Sequence, residues 1–291
     1  MNRSSPRSQT LTAALWMIGA IASFSAMAVA GRAVSFELDT FELMTYRSLI
    51  GIVIVLSVAA MAGTLGQITR RHMGWHLVRN ISHFTGQNLW FFAVTVIPLA
   101  QVFALEFTSP LWVTLLAPIF LAERLTRARA FAAIMGFIGI LIIARPGVDS
   151  LSPGVIAAAL SAICFAGSAV FTRRLTRGET ITCILFWLTV MQAVFGLICA
   201  GFDGDITLPS AVTAPWLLLI GCAGLVAHFC LTKALSMAPA TVVIPVDFTR
   251  LPLIALIGAL FYNEPLEVWV AVGATIIIGA NLVNLRAESR G

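Results

Sequence analysis

The sequence predicts an all-α membrane protein of ten transmembrane helices, arranged as two inverted five-helix repeats that form a basket around a central cavity. Three observations carry this reading. Of 291 residues, 59% are hydrophobic and 11% charged, with a mean hydropathy of +0.96, whereas a soluble domain carries about 25% charged residues. Ten mostly apolar runs reach the length of about 20 residues that a spanning helix needs, at roughly 11–31, 38–62, 76–95, 97–121, 126–144, 152–172, 181–200, 214–235, 240–262 and 265–285. The chain also repeats itself, without gaps, at an offset of 141 residues.

The first run begins after Arg3 and Arg7 and ends in "AVA" before Gly31, which imitates a secretory signal peptide. The repeat argues against cleavage. It pairs Phe24 with Phe165, Ala28 with Ala169, Val29 with Val170 and Arg32 with Arg173, so the first run is the counterpart of the sixth. The second run carries Arg47 at depth. In the third, "RNISHFTGQNLW" spaces Asn80, His83, Gln87 and Trp90 by three and four residues, one polar stripe on one helix face. Lipid rejects such a stripe, so it faces inward.

The fourth run carries Glu106 in "LEFTSP", and the ninth carries Asp247 and Arg250 in "VDFTRL". Between 93–145 and 234–286, 13 of 53 aligned positions are identical, including Pro98 with Pro239, Phe107 with Phe248, Thr108 with Thr249, Glu123 with Glu264, Leu125 with Leu266 and Arg145 with Arg286. Trp75 meets Trp216 at the same offset. The glycines of "MGFIGI" in the fifth run and "IGALF" in the ninth permit close helix approach. Five spans per repeat is an odd number, so the second copy, 146–291, crosses the membrane in the opposite sense to the first, 1–145. Inverted repeats are common in secondary transporters, with the substrate site near the midplane between them.

A formal charge of +5 does not indicate nucleic acid, because the cations sit in short separate loops. Arg3, Arg7, Arg70, Arg71, Arg79, Arg124, Arg127, Arg129, Arg173, Arg174 and Arg177 fall on one side of the predicted spans, with Glu37, Asp39 and Asp205 on the other. The positive side is cytoplasmic, which places both termini there and the chain in the inner membrane. Arg124, Arg127 and Arg129 read as a face for lipid head groups. Five cysteines, Cys164, Cys183, Cys199, Cys222 and Cys230, lie in apolar runs without CxxC spacing. They read as packing residues, with no disulfide, metal or cofactor expected.

The ten-span plan, the "LEFTSPLW...AERLT" stretch and "GFIGILIIARPG" resemble the EamA family of the drug/metabolite transporter superfamily. The resemblance covers nearly the whole chain and is strongest from Gln87 to Gly147. It implies a ten-helix basket, alternating access and, most often, export of amino acids or other small metabolites. The second copy departs from the first at Arg250 and Leu251, where Ser109 and Pro110 stood.

Ionisable residues inside a membrane pair, line a cavity, or carry function. Asp247 and Arg250, three apart, share a helix face and read either as a local ion pair or as substrate ligands. Glu106 lies four residues before Pro110, whose ring displaces the carbonyl there. It reads as a cavity carboxylate, or as a buried one neutralised by protonation or by Arg47. His83 offers proton exchange or an interhelical hydrogen bond. His228 reads as packing. Trp90, Trp112 and Trp187 are candidate walls, and Trp75, Trp216 and Trp269 interface anchors.

The expected function is export of a small zwitterionic metabolite, an amino acid, by alternating access, with proton coupling. Arg47 or Arg250 would meet a carboxylate, and Glu106 an ammonium or the proton. The alternative is a larger aromatic metabolite, a vitamin or drug-like cation. An intramembrane enzyme is disfavoured by the absence of HExxH or a compact ligand cluster, and a channel by the absence of rings of like groups from identical subunits.

Overall fold

The computed structural model describes residues 6–97, 99–123, 125–144, 152–202, 204–262 and 268–288. Of the positions singled out above, Arg3, Pro98, Arg124, Arg145, Glu264 and Leu266 lie outside the described residues. The elements are α1 (Pro6–Val34), α2 (Thr40–Met61), α3 (Met73–Val96), α4 (Leu99–Glu106), α5 (Ser109–Leu121), α6 (Arg127–Ala144), α7 (Pro153–Leu175), α8 (Ile181–Ala200), α9 (Ala214–Met237), α10 (Ala240–Val246), α11 (Arg250–Tyr262) and α12 (Val268–Glu288). Among the described residues there is no strand. Five helices are long and apolar enough to cross a membrane: Gln9–Val34 of α1, then α2, α7, α8 and α9.

Local chemistry sets the helix starts. Asp39 accepts from the backbone N–H groups of Phe41 and Glu42 while Glu42 accepts from that of Asp39, a reciprocal capping box that satisfies donors the helix leaves orphaned. Ser152 before Pro153, and Thr180 before Ile181, cap α7 and α8.

The fourth and ninth runs are each broken rather than continuous. The first break falls at Phe107 and Thr108, between α4 and α5; the second is a 3₁₀ turn over Asp247–Thr249, between α10 and α11. These are the "FT" positions that the 141-residue offset aligns. In both, the threonine hydroxyl donates back to a carbonyl three residues earlier, Thr108 to Leu105 and Thr249 to Val246, each at 2.8 Å. Such back-bonding competes with the helical ladder and bends it. Pro110 was expected to kink a continuous helix at Glu106. Instead it stands in the first turn of α5, where its missing N–H costs nothing.

The helices pair across the two halves. α1 runs along α9, α3 along α7, α2 along α8 and α6 along α12. Exchanging halves by the repeat offset turns the first pair into the second and leaves the other two unchanged. Glycines allow the contact at α2: a Cβ on Gly196 would lie 2.5 Å from the Thr45 hydroxyl and 3.1 Å from its backbone nitrogen, and one on Gly221 would lie 2.8 Å from Ile50.

The segment after α8 is tied to the α1–α2 corner. Ser210 donates to Glu37 from its backbone N–H at 2.7 Å and its hydroxyl at 2.8 Å, and Tyr46 donates to the Thr207 carbonyl at 2.7 Å. Desolvation works against the Glu37 carboxylate, but these bonds prevail and hold its pKa below the usual value. At the opposite end, Arg174 and Arg177 of the α7 terminus donate to the Phe120 and Leu121 carbonyls at the end of α5, both at 2.7 Å. Arg173 donates to the Leu235 carbonyl and pairs with Glu123 at 3.4 Å.

Two charges differ from expectation. Arg79, read as a loop cation, is buried in α3, donating to the Thr172 hydroxyl at 3.1 Å and to Asn80 at 2.9 Å. Arg129, read as facing lipid head groups, is also buried, while Arg127 is exposed. Both lie near helix starts, where loop and first turn look alike in sequence.

Candidate functional site

The breaks in the fourth and ninth runs bring Glu106, Asp247 and Arg250 together. The Arg250 guanidinium donates through one nitrogen to Glu106 at 2.5 Å and to Asp247 at 2.8 Å. The Trp90 indole N–H donates to the other Glu106 oxygen at 2.6 Å. The rings of Phe24, Phe103 and Phe107 stand 5.0–5.3 Å from the guanidinium carbon, close enough for cation–π attraction. Arg250 is 3% exposed, and this shell of carboxylates and rings replaces its lost water.

This cluster forms part of the wall of a cavity with about 700 Å³ of empty space, part of it open to solvent. Six pairs of its lining residues are related by the 141-residue offset: Phe24 with Phe165, Met27 with Ser168, Gln87 with His228, Trp90 with Leu231, Glu106 with Asp247, and Ser109 with Arg250. Equivalent positions of the two copies thus surround one space. Their chemistry has diverged: Trp faces Leu, Gln faces His, and Ser faces Arg.

Four of the eight sequence candidates, Glu106, Asp247, Arg250 and Trp90, meet in the charged cluster, and His83 and Gln87 also line the cavity. Arg47 does not. It is buried behind the wall, donating to the Gln87 side-chain carbonyl and lying 3.8 and 3.7 Å from the sulfurs of Met27 and Met44. It borders a smaller adjoining cavity with Ser48, Thr189, Gln192 and His228. The proposed Arg47–Glu106 neutralisation therefore gives way to Arg250, which the break in the ninth run delivers to Glu106.

Asn80 is also not a lining residue. Fully buried, it donates to the carbonyls of His76 and Trp187 at 2.8 and 3.3 Å and accepts from Arg79, so the polar stripe of α3 splits into a packing half and a cavity half. Of the other tryptophans, Trp112 is 37% exposed on the outer face of α5, and Trp187 donates to the Thr69 carbonyl at 2.7 Å.

His228, read as packing, belongs to the cavity. Its ring meets His83 edge to face at 4.6 Å and Phe24 at 5.5 Å. Among the described residues, neither of its nitrogens, nor His83 Nε2, has a hydrogen-bond partner. The repeat held the missed signal, since the offset aligns His228 with Gln87.

The EamA-like transporter family model matches the chain twice, over residues 11–145 and 152–286. A riboflavin transporter of Brucella anthropi is 34% identical over 248 residues, covering 84% of this chain and 87% of that protein. An S-adenosylmethionine uptake transporter of Rickettsia felis is 27% identical over 280 residues, covering 96% and 94%. A crystal structure with 19% identity superposes with a TM-score of 0.75 over 99% of both chains, a likeness of fold alone. The two matches together span nearly the whole sequence, and the chain is a multi-pass membrane transporter of small molecules that belongs to the EamA-like transporter family.

Proposed function

We propose that this transporter carries a larger ring-bearing metabolite of the riboflavin class, rather than an amino acid, through the cavity between its two halves. The observation that carries this reading is the closed charge cluster. Binding an amino acid calls for a free cation and a free carboxylate, and here Arg250 is shared by Glu106 and Asp247 while Glu106 also accepts from Trp90. Besides Asp247 Oδ1 and Arg250 Nε, unpartnered among the described residues, the lining offers a ligand apolar and aromatic surface from Phe24, Phe165, Met17 and Met27, with neutral polar groups from Gln87, Ser168 and Thr172. Pockets of that kind suit a flat heterocycle with a few hydrogen-bonding edges. The similarity to riboflavin transporters points the same way.

A second reading is a large aromatic cation. Two carboxylates against one guanidinium leave a formal surplus of one negative charge at the cluster, and the S-adenosylmethionine transporters are relatives.

The mechanism we attach to either substrate is alternating access between two inverted five-helix repeats, 1–145 and 146–291, that together cross the inner membrane ten times with both termini in the cytoplasm. The half-exchanging helix pairs and the paired cavity residues support it. Glu106 is the group we assign to a coupling proton, with His83 assisting its exchange. Purified protein in proteoliposomes tests the substrate: saturable riboflavin flux with no amino-acid flux is expected. S-adenosylmethionine flux alone favours the second reading, and amino-acid flux without either overturns both.

A further inference from the structure

Away from the cavity, four side chains able to bind a metal converge between the α2–α3 connection and the α7–α8 connection. His72 immediately precedes α3 and His76 stands in its first turn; Glu179 precedes α8 and Cys183 stands in its first turn. Each pair is spaced by four residues, one member just before the helix and one in its first turn. One ligand atom each from His76, Glu179 and Cys183 falls within 4.8 Å of the others, and His76 Nε2 is 4.0 Å from the Cys183 sulfur. His72 Nδ1 adds a fourth, 2.6 Å from the Glu179 carboxylate.

We propose that His76, Glu179 and Cys183 hold a divalent transition metal of the zinc type, with His72 beside the Glu179 carboxylate to complete the site, joining one connection from each half of the transporter. Tetrahedral zinc holds nitrogen and oxygen at about 2.0–2.2 Å and sulfur at about 2.3 Å, so its ligand atoms lie about 3.3–3.8 Å apart. For His76, Glu179 and Cys183, which already lie within 4.8 Å of one another, shifts of about an ångström bring the ligand atoms to that geometry.

An independent observation is the state of His76. It is 1% exposed, and among the described residues its Nδ1 has no hydrogen-bond partner while its Nε2 lies 4.0 Å from the Cys183 sulfur. A buried imidazole with no committed partner is costly as hydrogen bonding alone, and a metal supplies the missing interaction. The Glu179 carboxylate is held in place by His72 Nδ1 at 2.6 Å and by the Thr69 hydroxyl, which donates to it at 3.0 Å. On binding, the Cys183 thiol releases its proton to solvent and coordinates as thiolate. Sequence reading of the cysteines set Cys183 aside because it lacked CxxC spacing. The usable signal was the pair of four-residue spacings, His72 with His76 and Glu179 with Cys183.

The full chain, purified without a histidine tag, is titrated with Co(II) in detergent. The expected spectrum has the intense visible bands of tetrahedral Co(II) and a near-ultraviolet thiolate-to-metal band. Cys183→Ser removes the thiolate band, and Cys183→Ser and Glu179→Gln each weaken binding by about 10-fold or more. Zn(II) raises the thermal midpoint of the parent protein but not of Cys183→Ser, because a ligand specific for the folded form stabilises it. A weak octahedral spectrum, a thiolate band that survives Cys183→Ser, or no binding at all overturns the proposal. None of these readouts depends on the transported substrate.

Discussion

Arg250 decides the charge state of the cavity, and its loss should differ in kind from the loss of either carboxylate. Without it, Glu106 and Asp247 face one another in a buried site with no cation, and removing one partner of a buried ion pair costs about 3–5 kcal/mol. Glu106→Gln leaves the Arg250–Asp247 pair in balance and keeps an amide oxygen to accept from Trp90. Thermal unfolding in detergent should therefore show a large drop in midpoint for Arg250→Leu and a small one for Glu106→Gln. The opposite order removes Arg250 from the centre of the cluster. Glu106 was legible as a special residue because a charge at that depth is expensive. Its partner was not, since Arg250 is 144 positions away in sequence and Arg47, which lies at a comparable depth, reads as an equal candidate until the breaks fix the geometry. Arg79 and His228 were misread for a related reason: burial and ring contacts depend on the neighbouring helix, which periodicity does not identify.

Among elements, α2 shows how tightly the halves are joined. Its contact with α8 relies on the missing side chain of Gly196, where a methyl group would meet the backbone nitrogen of Thr45 at 3.1 Å as well as its hydroxyl at 2.5 Å. Backbone cannot swing aside as a side chain does, so Gly196→Ala must push the two helices apart. Overpacking of this kind costs about 1–3 kcal/mol, which a fall in thermal midpoint measures. Gly279→Ala in α12 is the control: among the described residues no atom lies within 4 Å of the added carbon, and alanine is the better helix former by about 1 kcal/mol. Its midpoint should hold or rise; equal gains in both variants would mean that helix propensity, not packing, sets the outcome. The extents of α1, α2, α7, α8 and α9 follow hydropathy closely, because an apolar run of membrane length has few alternatives to a helix. The breaks in the fourth and ninth runs escaped a reading centred on Pro110, since they fall at the aligned Phe–Thr positions rather than at the proline. That signal stood in the sequence as the shared "FT".

For the molecule as a whole, the alternating access we propose rests on inversion of the two halves, and that inversion makes a geometric demand that the loops can meet or fail. If the first copy begins in the cytoplasm and each copy crosses five times, the α2–α3 connection is cytoplasmic and the α8–α9 connection faces outward. The charges lean that way, with Arg70 and Arg71 in the first and Asp205 in the second, in keeping with the positive-inside bias. Single cysteines report the side directly once the five native cysteines, all of them free, have been replaced. Gly66 suits the inner position, since a side chain there meets no atom within 4 Å. Leu208 suits the outer one, being 80% exposed. In intact cells, Leu208→Cys should react with a membrane-impermeant maleimide and Gly66→Cys should react only after permeabilisation. Labelling of both from outside, or of Gly66→Cys alone, contradicts the inverted arrangement and removes the symmetry argument for a cavity shared by equivalent positions of the two copies.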